Sequence, residues 1–537
     1  MRARSALAGV ALLAVAGCAG VPSTGAVRIG RAVQPATGSD AGEVIRVLPP
    51  AVIPGEAPGS LVRQFLRTMV DGSQNYGAAR VYLAPGTSWS PGAGTTIYDD
   101  TKLQVDRTAR DTVTVTAPRL GVIAPRGDFR PATGTLTRTF HVTKRSQQWK
   151  ISGLASGVLL ADSDAPQALQ SAVVYYLNQA MGTVVPEQLL LPAEQPGMAT
   201  TLVRALLAGP GAPVAAGVRT AVPHGASLVG NVPIDSHGVA EVSLSGAVRQ
   251  LPPNQLRQLS AQLVWTLRQV PGVSAVRLLD DGTPLPVPGY GVTQPVQAWA
   301  GFDPNAPPAR QGPLFVRDGR AAAMRAPLPH ALDGRSVLAP AVSADGSVVA
   351  ALRPGHGSVT LLGGPAAGPL HDWLTAPRIS ALSFAPGRVG YAVAATRSGR
   401  ERVLRISPNG TVTPLHLPPS LRDDEVQAVA VSPDGSRIAT VAGPPGAGEL
   451  LVGMLGVLHD RPAVRGLRVV LPATRDVAGV AWARATEIVV TAAGSGRRVL
   501  VETPPDGYQP RTLPTSGLPN QPRQVAASPG QPVLAGA

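Results

Sequence analysis

The side chains of this 537-residue chain that could do chemistry form four small groups. The first is Cys18, the only cysteine. A thiolate is a good nucleophile for thioether formation, while a single cysteine excludes an internal disulfide and a tetrahedral Cys-type zinc site. The second is His224, Asp235 and His237, two imidazoles and a carboxylate that invite a metal or acid–base reading. His224 lies in Pro-His-Gly and His237 in Asp-Ser-His-Gly, so all three read as solvated turn residues. A metal would need at least one more convergent ligand. The third, Asp99-Asp100, reads as turn residues rather than an acid pair, and the fourth, Asp423-Asp424-Glu425, as a solvated loop rather than a cation site. Gly-x-Ser-x-Gly, His-Glu-x-x-His, a Walker loop and Ser-x-x-Lys with its partners are absent. The glycine-rich stretch 442–449 lacks the Lys-Ser/Thr ending of a phosphate loop, and Asn409 in Asn-Gly-Thr is a weak glycosylation sequon. No catalytic residue, metal or cofactor is therefore assigned, and the chain is expected not to be an enzyme.

What positions Cys18 is the segment before it. Met1-Arg2-Ala3-Arg4 is positive, and Ser5 to Ala16 is apolar but too short to span a bilayer, which needs about 20 residues. A positive start, a short apolar run and small residues mark an export signal, here residues 1–17. Val15-Ala16-Gly17-Cys18 resembles the lipobox of bacterial lipoproteins. That resemblance implies cleavage before Cys18, a diacylglyceryl group on its sulfur and an acyl group, such as palmitate, on its new amine. Several acyl chains anchor stably where one is marginal. Residues 18–42, rich in Gly, Pro, Ser, Thr and Ala, read as lipid anchor and flexible tether.

Three modules follow. Residues 43–162 read as a small α+β domain. A helix after Ser60, its expected cap, carries Leu61, Phe65, Leu66 and Met69 on one face. A short helix over 76–83 precedes strands near 95–98, 102–105, 112–116, 136–142 and 148–151. A curved sheet cradling the helices would form a cone with a pocket. Residues 165–292 read as an α/β domain. Its strands fall at 173–178, 239–245 and 274–279, one helix lies in "LVRALLAGP" (202–210), and a strong helix covers 254–273. In the latter Leu256, Leu259, Leu263, Leu267 and Val270 share a stripe, Asn254 suits the cap and Pro271-Gly272 ends it. Trp265 on this helix is either core or rim.

Residues 299–537 carry a weak repeat of strand, turn and strand. The copies are 340–352, 380–395, 427–442, 478–493 and 523–537. Ser343, Ala385, Ser432, Ala483 and Ser528 are equivalent, 42, 47, 51 and 45 residues apart. That period fits four-stranded β-propeller blades. Five copies point to about five blades, with 312–324 supplying strands missing from the copy that ends the chain. The fold class is thus multidomain: an N-terminal α+β domain, an α/β domain and a C-terminal β-propeller.

The formal net charge is +14, and 44 of 47 basic residues are arginine. This accompanies abundant Ala, Gly and Pro, and a diffuse positive field also assists attraction to an anionic envelope polymer or lipid. The arginines are scattered without interleaved aromatics, which argues against nucleic acid.

The pieces "LVRALLAGP", "TAVPHGASLVGNVPID" (220–235), "GVAEVSLS" (238–245) and "QLVWTLRQVPGVSAVRLLDDG" (262–282) closely resemble the GerMN domain, a module not known for catalysis. Lipobox, α+β domain, GerMN domain and propeller, in that order, resemble the LpqB-type lipoproteins of actinobacteria. The resemblance implies an extracytoplasmic, membrane-anchored accessory protein of a two-component system. Such a protein contacts the extracytoplasmic domain of an MtrB-type sensor histidine kinase and modulates signalling to an MtrA-type response regulator, in envelope homeostasis and division. The competing readings are a binding protein for envelope glycan or lipid, and an unrecognised wall hydrolase.

Overall fold

Pro58 opens the first helix because its fixed φ suits the first helical position and its missing N–H would be unpaired there. The helix runs Pro58–Arg67, so Ser60 lies within it and Ala57 takes the cap position without a side-chain bond. Leu61, Phe65 and Leu66 are buried along it, and Met69 is buried in the tight turn Thr68–Val70 that follows. The structure, a computed structural model, describes residues 55–537 except 195, 247, 306–313, 324–326, 422–425, 515–520, 532 and 537. The expected signal, tether and Cys18, and the acidic run Asp423-Asp424-Glu425, lie outside the described residues. All described residues belong to one unit, Pro49–Ala537.

In the first module, strands Gln148–Gly153, Thr135–Arg145, Thr112–Ile123, Thr95–Tyr98 and Val158–Ala161 stand side by side. Gln104–Ala109 and Phe129–Pro131 also pair with Thr112–Ile123. The last two strands of the row are parallel, the others antiparallel. Alternation in Thr112–Ile123 sends Val113, Val115 and Ala117 inward. The expected cone is filled: the Phe65 ring meets Tyr82, Trp89 and Phe140 edge-on, at 6.5, 5.6 and 6.0 Å. The second helix is Ser73–Arg80, earlier than expected, and Gln74, Asn75 and Tyr76 hold positive φ. With only Ala79 buried, it has no apolar stripe to fix its register.

In the second module, Val239–Ser245 and Ala275–Asp280 are parallel neighbours joined through the helix Pro253–Leu267. Ser227–Leu228, Thr283–Pro284 and Thr293–Pro295 complete that sheet. Asn254 lies inside the helix, after Pro252 at the cap, and the helix ends six residues before Val273 because Pro271-Gly272 already governs the turn. A separate hairpin, Leu169–Leu177 with Val184–Pro192, packs on this helix and on the helix Met198–Leu207. Trp265 is core: its ring lies 5.4 Å from Tyr175, its Nε1–H donates to Trp299 O at 3.0 Å, and Arg268 covers its face at 4.3 Å. Trp299 and Phe302 pack into the same core.

The third module has four four-stranded antiparallel sheets. Their innermost strands are Ala339–Val342, Ile379–Ala385, Val426–Val431 and Gly479–Arg484. The first four sequence copies are the two inner strands of these sheets. The fifth copy is a two-stranded hairpin, Gln524–Ala526 with Leu534–Gly536, which packs beside Gly479–Arg484. Residues Leu314–Arg317 and Arg320–Ala323 form another hairpin, which packs beside Ala339–Val342 and is not hydrogen-bonded to the final copy. Among the described residues they therefore do not supply that copy's missing strands, and this module holds six sheets rather than five. Two copies share one turn. Ser432 Oγ–H donates to Asp434 at 2.8 Å and accepts Arg437 N–H at 3.0 Å, while Gly435 takes φ of 74°. Ser343, Asp345 and Val348 repeat it at 2.6 and 3.0 Å.

Candidate functional sites at the propeller channel and the module junction

The proposed turn residues behave as such. Asp235 accepts the backbone N–H groups of Val239 and His237, which holds its carboxyl below the usual range, and both histidines are exposed. Asp99 accepts Thr101 N–H and pairs with Lys102 at 3.2 Å, while Asp100 accepts from Ser163. Asn409 Oδ1 accepts Thr411 N–H in the Ser407–Gly410 turn. Among the described residues, no group of three His, Cys, Asp or Glu is placed to hold a metal.

The structure draws together other residues. A cavity of about 310 Å³ runs along the propeller axis. Leu314, Ala341, Leu382, Val429, Val480 and Val525 line it, one from each of the six innermost strands. Among the described residues its wall carries no charged side chain. Such a channel suits an apolar ligand or remains weakly hydrated.

A second cavity, about 40 Å³, lies where the three modules meet, enough for a buried water. From the first module comes the loop between Thr112–Ile123 and Phe129–Pro131. It closes on itself through Ala124 N–H to Asp128 O at 2.9 Å, and Gly127 O accepts Leu190 N–H from the second module at 2.9 Å. Gly127 has φ of 109°, and a Cβ there would meet Leu190 O at 3.0 Å, so the contact needs glycine. Arg126 Nη2 donates to Glu187 at 2.7 Å and to Tyr176 Oη at 2.9 Å, and Nη1 reaches Asp128 at 3.3 Å. The other Glu187 oxygen accepts Gly211 N–H at 2.9 Å. Burial pushes the Glu187 carboxyl up, opposed by Arg126.

The third module contributes Arg437, at the start of its strand Arg437–Ala442. Its guanidinium donates to Ala485 O at 2.7 Å within the propeller and to Pro186 O of the second module. Arg437 is 3% exposed. Burial disfavours its charge, and Asp434, Glu187 and Asp506 oppose that effect. Met454 joins the second module's core, and Gly217 leaves the room: a Cβ there would lie 2.6 Å from its Cε. Tyr508 meets Phe129 of the first module edge-on at 5.2 Å, and Asp506 accepts Tyr508 N–H at 3.0 Å.

Asp506 gives a pH signature. Its burial pushes the carboxyl above the ordinary 3.8, offset in part by Tyr508 N–H and Arg468. The folded protein then binds the proton more tightly than the unfolded chain. Stability on this account falls as pH rises from about 3.8 through the raised folded value, and is not lost on acidification. Asp506→Asn keeps the acceptor without the charge. Its denaturation free energy should lack that slope and match or exceed wild type at pH 7, by up to about 2 kcal/mol. A variant that is less stable at pH 7 with the slope intact would contradict this.

The sequence reading missed Arg126, Glu187, Arg437 and Asp506. One signal was available: Glu187 is a lone carboxylate in the apolar run Val184–Pro192.

Comparisons with known proteins fall on the same three modules. Residues 51–166 match the model of the lipoprotein LpqB N-terminal domain, 173–286 the sporulation and spore germination domain, and 315–537 the lipoprotein LpqB beta-propeller domain. The chain is 28% identical to "Lipoprotein LpqB" of Thermobifida fusca over 99% of its own length and 94% of that protein's. It is 34% identical to "Lipoprotein LpqB" of Cutibacterium acnes over 58% of its own length, and spans about half (52%) of that relative. The first GerMN domain of the Bacillus subtilis sporulation protein GerM is 25% identical over 24% of this chain and 92% of that one, with a TM-score of 0.19. With an LpqB N-terminal domain, a GerMN domain and an LpqB propeller in unbroken order, the chain belongs to the LpqB lipoprotein family.

Proposed function

We propose that the protein is a lipoprotein anchored through Cys18 on the extracytoplasmic face of the cell membrane, where it binds the extracytoplasmic domain of an MtrB-type sensor histidine kinase. The observation that carries the anchoring is the agreement between the lipobox and relatives named as lipoproteins. No helix among the described residues is long and apolar enough to cross a membrane. The kinase role follows from the LpqB resemblance. It is supported by an architecture of modules without an assembled catalytic group among the described residues. A tether confines the modules near the bilayer and raises their effective concentration toward an integral partner. Binding one conformation of the kinase better than the other would bias its signalling without chemistry. The propeller channel favours a second reading, a binding protein for envelope lipid or glycan.

Cys18→Ala tests the anchor. Fractionation of cells should find the variant released from membranes or held as an uncleaved precursor. A variant that still fractionates as a mature, lipid-modified form would overturn the assignment. For the partner, purified full-length protein should bind the kinase's extracytoplasmic domain, and deletion should alter kinase signalling. Failure of both would end the kinase reading.

A further inference from the structure

A groove of about 450 Å³ opens on the outer surface of the propeller between its second and third complete sheets. This is within the usual size of ligand sites, roughly 300–1,000 Å³. Its floor is fixed by backbone bonds. His416 N–H donates to Pro462 O at 2.9 Å and Val464 N–H to His416 O at 2.8 Å, so the segment after Val412–Pro414 runs along the outer strand of the next sheet. Leu415 N–H donates to Val403 O at 2.9 Å, and Val403 and Leu415 are buried beneath. Strand alternation turns Arg402 outward, and the hairpin before Arg461–Val469 places Arg461 at its start.

The described lining holds three arginines, Arg400, Arg402 and Arg461, against one carboxylate, Glu401. Arg402, Arg461 and His416 are exposed and line the groove. The groove's one described acid, Glu401, is held by Arg378 at 2.6 Å. No hydrogen bond or ion pair among the described residues engages the Arg402 or Arg461 guanidinium. Two open guanidinium forks match the oxygens of a phosphate group. Among the described residues the lining has no Phe, Tyr or Trp ring on which a neutral sugar could stack. The net charge of +14 supplies long-range attraction for an anion.

We infer that this groove binds phosphodiester groups, with Arg402 and Arg461 as the phosphate ligands and His416 as a flanking donor. The assignment is independent of kinase binding. Phosphate chemistry has two sources in an envelope, a soluble or wall-linked polymer and a lipid headgroup, and the test separates them. Full-length protein in neutral detergent micelles is titrated with poly(glycerol phosphate). In a second arm the micelles are doped with phosphatidylglycerol. Binding is followed by thermophoresis for wild type, for Arg402→Glu/Arg461→Glu and for the charge-matched control Arg145→Glu/Arg497→Glu, whose arginines are exposed elsewhere. Arg402→Gln/Arg461→Gln stands in if the Glu pair does not fold.

The groove pair should bind at least about tenfold more weakly, since each site loses a charge-assisted bond, and the control pair less than about twofold. The wild-type affinity should fall with added salt. Loss in the first arm assigns the polymer, and loss in the second the headgroup. The inference is overturned if neither probe binds wild type, if both pairs weaken equally, or if polyglutamate of the same charge binds as tightly as poly(glycerol phosphate).

Discussion

Arg437→Ala should lower the unfolding free energy by about 3–5 kcal/mol, the cost of emptying one side of a buried charge network. The guanidinium ties the propeller to the second module through Pro186 O and ties two propeller sheets together through Ala485 O. Removing it leaves two carbonyls without that donor, at about 1–3 kcal/mol for each that stays buried. It also takes a positive charge from the neighbourhood of Glu187 and Asp506. Arg437→Lys keeps the charge, but an ammonium lacks the planar fork that spans both carbonyls, and should recover only part of the loss. Calorimetry should show more than separate destabilisation of one sheet. The second and third modules should begin to melt in distinct transitions, because a buried bond that couples them is gone. A single transition within about 1 kcal/mol of wild type would mean that Arg437 is accommodated rather than required.

Glu187→Ala comes next, at about 2–4 kcal/mol, reduced from the buried-pair range because Arg126 remains partly open to solvent. The carboxylate joins Arg126 of the first module to Gly211 N–H of the second. Without it Arg126 keeps Asp128 at 3.3 Å and Tyr176, while Gly211 N–H loses its partner. The double change Glu187→Ala with Arg126→Ala should cost less than the sum of the two single changes, with a coupling of about 1–3 kcal/mol by denaturant titration. Strict additivity would show that the two side chains do not act as a unit. Together the two predictions state a structural claim: the three modules are clamped by charges at their meeting point. A partner that binds one module then meets all three.

How much of this the sequence discloses depends on range. The long helix was legible because Leu256, Leu259, Leu263 and Leu267 repeat at helical spacing, a pattern set within 15 residues. The propeller was legible because the strand–turn–strand pattern is local and recurs, with a Ser-x-Asp-Gly turn in two copies whose bonds span two to five residues. Sheet count was not, since the Leu314–Arg317 hairpin falls outside the repeat spacing and is placed by packing on Ala339–Val342. The caps at Ser60 and Asn254 were misplaced for one reason: in both helices a proline takes the first turn and shifts the start upstream. The junction was least legible of all. Arg126 meets Glu187 across 61 positions and Arg437 meets Pro186 across 251, and no periodicity reports a pairing of that separation. The turn reading of Asp99, Asp100, Asp235 and the two histidines held because turn chemistry is set by immediate neighbours. The hollow expected in the first module failed on volume. Its sheet does cradle the helix, but Phe65, Trp89 and Phe140 fill the space.

The most direct test of the functional account is a cross-linking map of the full-length protein in intact cells, with the linked envelope proteins identified by mass spectrometry. The account predicts cross-links to the extracytoplasmic domain of a sensor histidine kinase, and their loss when Cys18→Ala removes the anchor. A map rich in other envelope partners but without a sensor kinase would contradict it.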